Sequence, residues 1–302
     1  MALVDVLDRL RVGYDPIGSP IPPHGWFPPH GWVELVDVMP RLVPDGETCD
    51  HAIVRAARES TSGDVKDDKA DRGLIRYMME NRHTTPFEMV ETKWRVKMPI
   101  FVARQWVRHR TASINELSMR YTEAKPEYWL PPNGWRGQGR SNRQGSEGTV
   151  QYTPLAVDPN APHHPIAEDA AFAEYENRIA AGVSREQARS CLPVSAYTQW
   201  TWKIDLHNLL HFLNLRTHPH AQEEIRVYAE AMLNIIEPLV PWTVEAWRDY
   251  VRDAVTFTAD ELDVLRTGQG YWMSQRQQAQ LKDKMRKTQM SVERIDWVGR
   301  GL

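Results

Sequence analysis

The sequence is poor in cysteine and has no long apolar run. Its 302 residues include two cysteines, Cys49 and Cys191, which lie far apart and lack the spacing of a metal site. A disulfide framework is therefore not expected, and a reducing compartment is the natural setting. No stretch approaches the roughly 20 apolar residues of a membrane span, and the acidic N-terminus lacks the basic start of a signal peptide. These absences predict a cytoplasmic protein with no membrane partner.

A surplus of one charge is also missing. The chain has 37 basic and 40 acidic residues, which give a formal net charge of -3. A dedicated nucleic-acid-binding protein usually carries a clear basic surplus, so this class is disfavoured. No Gly-x-Gly-x-x-Gly turn joins a strand to a helix, which argues against a Rossmann dinucleotide site. Any dinucleotide must therefore be held by side chains and helix ends.

The densest run of chemically useful side chains lies at positions 108–121. It reads Arg-His-Arg-Thr-Ala-Ser-Ile-Asn-Glu-Leu-Ser-Met-Arg-Tyr. Guanidinium groups bind phosphate through two parallel hydrogen bonds and stack on flat rings. An arbitrary Arg-His-Arg is more often a solvated turn, but the density of donors and acceptors here favours an anionic, planar ligand such as a nucleotide.

The spacing within this run is more specific than its composition. Arg108-His109-Arg110, seven further residues and then Ser118 form the pattern Arg-His-Arg-x₇-Ser, in which the chain resembles the flavin-dependent thymidylate synthases. Other stretches resemble blocks of that family in the same order, which makes coincidence implausible. They are 31–39, 55–58, 83–88, 99–106, 189–193, 205–216, 220–225 and 241–242.

The resemblance implies an α/β fold of the α+β type. We expect a mostly antiparallel sheet flanked by helices, the thymidylate synthase-complementing fold, assembled as a homotetramer. A single catalytic domain is expected over 1–302, with an N-terminal arm at 1–30, a family core at 31–250 and a C-terminal extension at 251–302. The stretch 131–165 is rich in Gly, Pro, Asn, Ser and Arg and is predicted to be a surface insertion within the core.

Apolar periodicity predicts the secondary structure that carries these blocks. Strands are expected over 32–39, 87–97 and 197–203, with extended structure again near 118–121. Helices are expected over 49–59, 72–81, 170–181, 221–239 and 274–290.

Two further helices are predicted beside the family blocks. Pro99 opens the first, where its missing amide proton costs nothing. The core stripe expected on that helix is Ile100, Ala103 and Val107. Asp205 is placed to cap the second. The core face expected on that helix is Leu206, Leu209, Leu210 and Leu213.

The resemblance also implies a dUMP site. The residues expected to bind dUMP are Gln105, Arg108, Glu116, Ser118, Arg120, Arg189 and Arg216, of which Arg108, Arg216 and Ser118 are expected to be catalytic. An arginine at the uracil carbonyls would stabilise negative charge as the ring is activated. Without the family, Arg189 and Arg216 would as readily form ordinary ion pairs.

A flavin and folate site is implied in the same way. Methylene-tetrahydrofolate would supply the carbon, FAD would carry it and supply the hydride, and NADPH would reduce the flavin. The residues expected at this site are His83, Thr85, Glu88, Arg108, His109, Arg110, Asn115, Glu116, Asp205, His207 and His211.

Other functions remain open at this stage. His207 and His211 have the spacing of a zinc-binding helix, but Asn208 stands where the zinc protease motif needs a glutamate, and we expect no metal. Within the enzyme class, a related flavin-dependent enzyme could alkylate a uracil nucleotide to a different product. From another class, a single-strand nucleic-acid module could use the arginines and the 12 tryptophans.

Overall fold

The described part of the computed structural model falls into two compact units, Met1–Trp247 and Arg248–Leu302. Much of the expected N-terminal arm and part of the expected insertion lie outside the described residues. The described residues are 11–13 (backbone only), 28–61, 63, 66–140, 145–153, 166–292 and 295–298.

An antiparallel sheet of five strands is the framework of the first unit. Its strand order is β1 (Arg11–Gly13), β2 (Trp32–Met39), β3 (Glu91–Pro99), β7 (Tyr197–Asp205) and β4 (Ser113–Glu116). Burial alternates along β3 and β7, which places Trp94, Trp200 and Trp202 in the core. Strands β5 (Arg136–Gln138) and β6 (Ser146–Thr149) form a separate antiparallel hairpin within the expected insertion.

Helices flank the sheet, which confirms the mixed α/β class with an antiparallel sheet. Among the described residues, no helix combines the length and apolar character that crossing a membrane requires. The helices of the first unit are α1 (Cys49–Glu59), α2 (Asp68–Glu80), α3 (Thr85–Glu88), α4 (Ile100–Trp106), α5 (Ala167–Ala180), α6 (Arg185–Ala188), α7 (Leu206–Arg216), α8 (Glu223–Ile236) and α9 (Pro241–Trp247), and a 3₁₀ turn, Arg189–Cys191, follows α6.

Several elements lie where the sequence pattern placed them. β2 and α1 have the predicted bounds. The cap of α7 is confirmed, because Oδ1 of Asp205 accepts a hydrogen bond from the backbone N of Asn208 at 2.9 Å. The predicted core face of α7 is also confirmed, since its four leucines are all buried.

Three predictions around α4 are wrong. Of the predicted core stripe, Ala103 is buried, but Ile100 is only partly buried and Val107 is 43% exposed. Trp106 is fully buried instead, because the larger aromatic side chain fills the core at the helix end. Extended structure returns at β4, where β7 supplies a pairing partner, whereas the carbonyl of Ser118 begins a turn. The strand expected over 87–97 begins later, because Pro86 helps to start α3.

The second unit has a small core of its own. It contains a π-helical turn, Arg248–Arg252, then α10 (Ala259–Thr267) and α11 (Gln275–Lys287). Glu261 and Lys284 form an ion pair of 2.6 Å between the two helices. The predicted polar helix α11 buries two of its side chains in this core. The buried residues of the core are Val264, Met273, Leu281, Met285 and Ile295.

Candidate functional site

An aromatic cluster fixes the point at which the Arg-His-Arg segment leaves α4. Trp106, the last residue of the helix, stacks on Phe212 of α7 with ring centroids 4.8 Å apart. It also meets Trp202 of β7 edge to face at 5.3 Å and Tyr228 of α8 at 6.0 Å. All four rings are buried. Because close-packed rings resist displacement, the chain after Trp106 starts from a rigid base.

Arg216, at the end of α7, is held against this base by two hydrogen bonds. Its Nε donates to Nε2 of His109 at 3.0 Å, and its Nη2 donates to the backbone oxygen of Gln105 at 3.2 Å. We call this arrangement the Arg216 clip. A guanidinium group has five N–H donors, so other donors remain for a ligand. The clip therefore presents a half-buried cation in a defined orientation.

The hydrogen bond from Arg216 to His109 requires that the histidine ring be neutral. Burial, and then the neighbouring Arg216 and His211, lower the pKa of His109 to about 4. The ring is therefore neutral near pH 7, and Nε2 can accept the proton of Arg216 when Nδ1 carries the ring hydrogen. Burial also lowers the pKa of Arg216.

Stability should therefore depend on the protonation of His109. The folded protein holds His109 neutral down to a pKa of about 4, below the value of 6.5 for an unperturbed histidine. The stabilisation is complete above pH 6.5 and is lost as the pH falls, because only the unfolded chain gains the proton. Between pH 7 and pH 5, we expect the free energy of unfolding of the wild type to fall by up to about 2 kcal/mol more than that of His109→Gln. Urea unfolding at several pH values measures this difference. If the free energy of unfolding depends on pH equally in the two proteins, His109 does not have a lowered pKa in the folded state.

Two predicted dUMP residues have distant partners that sequence reasoning missed. Nε2 of Gln105 donates to Oε1 of Gln222, which directly precedes α8 and lies 117 positions away. Oε1 of Glu116 accepts a hydrogen bond from Oγ1 of Thr198 at 2.6 Å, 82 positions away. No local pattern signals such pairs. Both side chains are oriented by the packing of β4, β7 and α8.

Ser118 and Arg120 lie together in the turn after β4. Oγ of Ser118 accepts from the backbone N of Arg120 at 3.2 Å, which leaves its hydroxyl proton for another acceptor. The guanidinium group of Arg120 donates to Glu186 at 2.7 Å, and both side chains are about half exposed. An exposed ion pair contributes about 0–1 kcal/mol, so a phosphate group can replace Glu186 at low cost.

Arg108, Arg110 and Asn115 present uncommitted polar groups. All three are exposed. Within the described part of the chain, their side chains have no hydrogen-bond partner. Arg108 and Arg110 flank the buried His109 along the chain, and Asn115 lies on the edge strand β4. Free guanidinium and amide donors of this kind suit the phosphates of a dinucleotide.

The flavin residues predicted on α7 have different surroundings. Oδ2 of Asp205 accepts from Nδ2 of Asn208 at 2.7 Å, and Oδ1 of Asn208 accepts from Thr111 at 2.8 Å. Asn208, oriented by Asp205, therefore ties the loop after Arg110 to the start of α7. His207 is half-buried, and the exposed His211 has its ring 6.1 Å from that of His109.

The predicted flavin residues from the earlier block reach the same helix. Thr85 and Glu88 belong to α3, which packs against α7. His83, just before α3, is exposed and meets Tyr77 edge to face at 5.7 Å. These three residues thus lie beside the helix that carries Arg216.

Arg189 and Cys191 lie in another region. Their 3₁₀ turn packs against α5 and α6, and no described contact joins the exposed Arg189 to the Arg216 clip. The thiol of Cys191 is partly buried and donates to the carbonyl of Ala188 at 3.3 Å. This environment is that of a small packing side chain.

The described residues bear on two other site classes, a metal site and a single-strand nucleic-acid module. The described residues contain no group of three or more His, Cys, Asp or Glu side chains that could hold a metal ion. A single-strand nucleic-acid module needs exposed aromatic rings on which bases stack. Instead, many tryptophans are buried, namely Trp32, Trp94, Trp106, Trp200, Trp202 and Trp247.

The chain matches one family model and is similar to known enzymes. The model of the family described as "Thymidylate synthase complementing protein" matches residues 41–242. The chain is 43% identical over 259 residues to the flavin-dependent thymidylate synthase of Dictyostelium discoideum, covering 84% of each protein. It is 47% identical over 226 residues to that of Gluconobacter oxydans, covering 72% of each.

Among solved structures, the chain is similar to a nucleotide methylase. The UMP/dUMP methylase PolB from Streptomyces cacaoi, bound with 5-Br dUMP, aligns with a TM-score of 0.61 and 34% identity, covering 74% of this chain and 96% of that one. Its complex with 5-Br UMP aligns with a TM-score of 0.60 and 35% identity, covering 74% and 95%.

Proposed function

Because the chain belongs to the family of flavin-dependent thymidylate synthases, we propose that it methylates C5 of the uracil ring of dUMP to give dTMP. The protein is an enzyme of the methyltransferase class. The observation that carries the proposal is the Arg216 clip, since it places a positioned cation beside the Arg-His-Arg segment.

Arg216 is proposed to act on the uracil ring. As the N3–H of the uracil ring is polarised, negative charge grows on the carbonyl oxygens and C5 becomes a better nucleophile toward the carbon donor. A cation already oriented before the reaction stabilises that charge without reorganising. The neutral His109 and the carbonyl of Gln105 hold the guanidinium group in place, and we propose that its other N–H groups face the substrate.

The remaining dUMP residues are proposed to hold the nucleotide. The hydroxyl of Ser118 and the guanidinium group of Arg120 lie in one turn and suit the phosphate. Glu116, oriented by Thr198, can accept from the uracil N–H or a ribose hydroxyl. Arg108 adds an uncommitted cation at the start of the same segment. Binding of this kind fixes the uracil ring relative to Arg216, so that the reacting groups meet in a defined orientation.

The residues present fit a flavin dinucleotide. Arg108, Arg110 and Asn115 offer free donors for phosphate and ribose oxygens, and the loop between Arg110 and β4 is fixed to α7 by Thr111 and Asn208. His207 and His211 lie on that helix, Thr85 and Glu88 lie on the helix packed against it, and His83 directly precedes the latter; these five residues are proposed to complete the site. When bound, FAD supplies transfer of the carbon and of a hydride. NADPH as reductant and methylene-tetrahydrofolate as carbon donor complete the proposed reaction.

A homotetramer is part of the proposal. β4 is the last strand of its sheet, and Ile114, Leu117 and Tyr121 near it are 36%, 46% and 79% exposed. An edge strand with exposed apolar neighbours is suited to contact another copy. We propose that Arg189 reaches the nucleotide site of such a copy. The free cysteines fit a reducing, cytoplasmic setting.

The purified protein is expected to be yellow and to oxidise NADPH faster when dUMP is present. The physical reason is that the dUMP and flavin residues share α4, β4 and α7, so the nucleotide completes the site in which the flavin reacts. An absorbance scan and stopped-flow NADPH oxidation, with and without dUMP, measure this. A colourless preparation that also fails to take up added FAD would contradict the proposal.

The alternative, an enzyme that forms a different product, is distinguished by the nucleotide that the protein prefers as substrate. The similar PolB protein is named a UMP/dUMP methylase, so a related enzyme accepts the ribonucleotide as well. Parallel turnover assays with dUMP and UMP, with the products identified by mass, separate a thymidylate synthase from such an enzyme. A larger kcat/KM for UMP would favour the second function.

A further inference from the structure

The β5–β6 hairpin is anchored to the start of α8 through one arginine. The guanidinium group of Arg136 contacts the carboxylates of Glu223 and Glu224, the first two residues of that helix. The side chain of Glu224 is only 3% exposed. A carboxylate buried to this degree is stable as a charge only beside a cation. Arg136 is therefore what allows Glu224 to stay buried.

This anchor is joined to the proposed dUMP site by consecutive contacts. Gln222 directly precedes the two glutamates, and its Oε1 accepts from Nε2 of Gln105. The backbone oxygen of Gln105 accepts from Arg216 at 3.2 Å. Each contact is a hydrogen bond or an ion pair between named groups. A displacement of the first turn of α8 therefore changes the orientation of the Gln105 amide.

Among the described residues, the hairpin is not packed tightly against the segment that leads into α8. A cavity of about 540 Å³ separates the hairpin from the segment that leads into α8, with Trp135, Gln138, His220 and Gln222 among its lining residues. The second carboxylate oxygen of Glu224 is buried without a hydrogen-bond partner among the described residues. Space and an unsatisfied acceptor mean that the segment can shift when its cation is removed. The ion pair with Arg136 is therefore a restraint on this segment.

We propose that Arg136 is a positioning residue for the nucleotide. By holding the first turn of α8, it fixes Gln222, and through Gln222 it orients the amide of Gln105 toward dUMP. This inference rests on the proposed dUMP site and extends that site to the hairpin. Arg136 lies outside the Arg-His-Arg-x₇-Ser pattern, so the hairpin has a role in substrate affinity that the motif does not contain.

The test compares Arg136→Gln and Arg136→Lys with Arg140→Gln as a matched control. Arg140 belongs to the same hairpin region, but its side chain is 96% exposed and lies 4.0 Å from Glu147. We expect Arg136→Gln to raise the Kd and the KM for dUMP about tenfold, as for loss of one oriented hydrogen bond, while kcat at saturating dUMP and the flavin spectrum stay close to wild type. Arg140→Gln should match wild type in all of these.

The lysine variant keeps the test decisive if Arg136→Gln fails to fold. Lysine retains the charge beside Glu224, but its single ammonium group cannot hold both carboxylates in a planar fork. We expect a folded protein with dUMP affinity reduced several-fold.

A folded Arg136→Gln or Arg136→Lys protein whose dUMP affinity is within about twofold of wild type would overturn the inference. Loss of thermal stability with unchanged dUMP affinity would do so too, since Arg136 would then serve the fold alone. A wild-type protein that does not bind dUMP would instead refute the proposed function on which the inference rests.

Discussion

Replacing Arg216 with alanine is expected to lower kcat/KM for dUMP methylation by about 10²–10³-fold, or roughly 2.7–4 kcal/mol. The guanidinium group is half-buried and held by His109 and the carbonyl of Gln105. Alanine removes the oriented cation that offsets charge on the uracil ring. Steady-state kinetics with varied dUMP, together with the flavin spectrum of the purified variant, measure the effect.

Two companion variants show whether orientation or charge alone matters. Arg216→Lys keeps the charge but cannot bond His109 and Gln105 while facing the substrate, so its activity should stay well below wild type. Arg140→Ala removes a fully solvated cation and should have little effect, because surface substitutions usually change stability by no more than about 0.5 kcal/mol. If Arg216→Ala keeps kcat/KM within about fivefold of wild type, its proposed role on the ring is wrong.

Trp106→Ala should destabilise the protein by about 3–5 kcal/mol, the usual cost of removing a large buried aromatic side chain. Trp106 is fully buried, and the neighbouring rings of Phe212, Trp202 and Tyr228 cannot close the cavity that alanine leaves. Urea unfolding at a fixed protein concentration measures the change, because an oligomer's stability depends on concentration.

The adjacent Val107 supplies the control for this prediction. It is 43% exposed, so Val107→Ala should change the free energy of unfolding by no more than about 0.5 kcal/mol. Similar losses for the two variants would mean that the aromatic cluster does not carry the stability of this region. They would also mean that Trp106 does not give the Arg-His-Arg segment a rigid start.

Local chemistry was sufficient to predict a large part of the framework. The bounds of β2 and α1 follow from apolar alternation and periodicity within each segment. The cap at Asp205 needs only a carboxylate three residues before a backbone N–H group. The antiparallel sheet and the family followed from motifs whose order along the chain is visible without coordinates. The bounds and the cap depend on residues close in sequence, which is why the sequence by itself determined them, whereas the antiparallel sheet, which pairs distant strands such as β3 and β7, was predicted only through the family resemblance.

The tertiary structure decided which polar groups meet. His109 and Arg216 lie 107 positions apart, and Arg136 and Glu224 lie 88 apart. Polar side chains carry no periodic signal that names a distant partner, so these pairs arise only when α4, α7, α8 and the hairpin pack together. Packing also decided that Trp106, and not Val107, faces the core, because four elements contribute rings to one cluster and a single helix turn cannot indicate which side chain will fit it. The family motif could therefore be read from the chain, whereas the Arg216 clip and the Arg136 anchor depend on the folded arrangement that brings their partners within hydrogen-bonding distance.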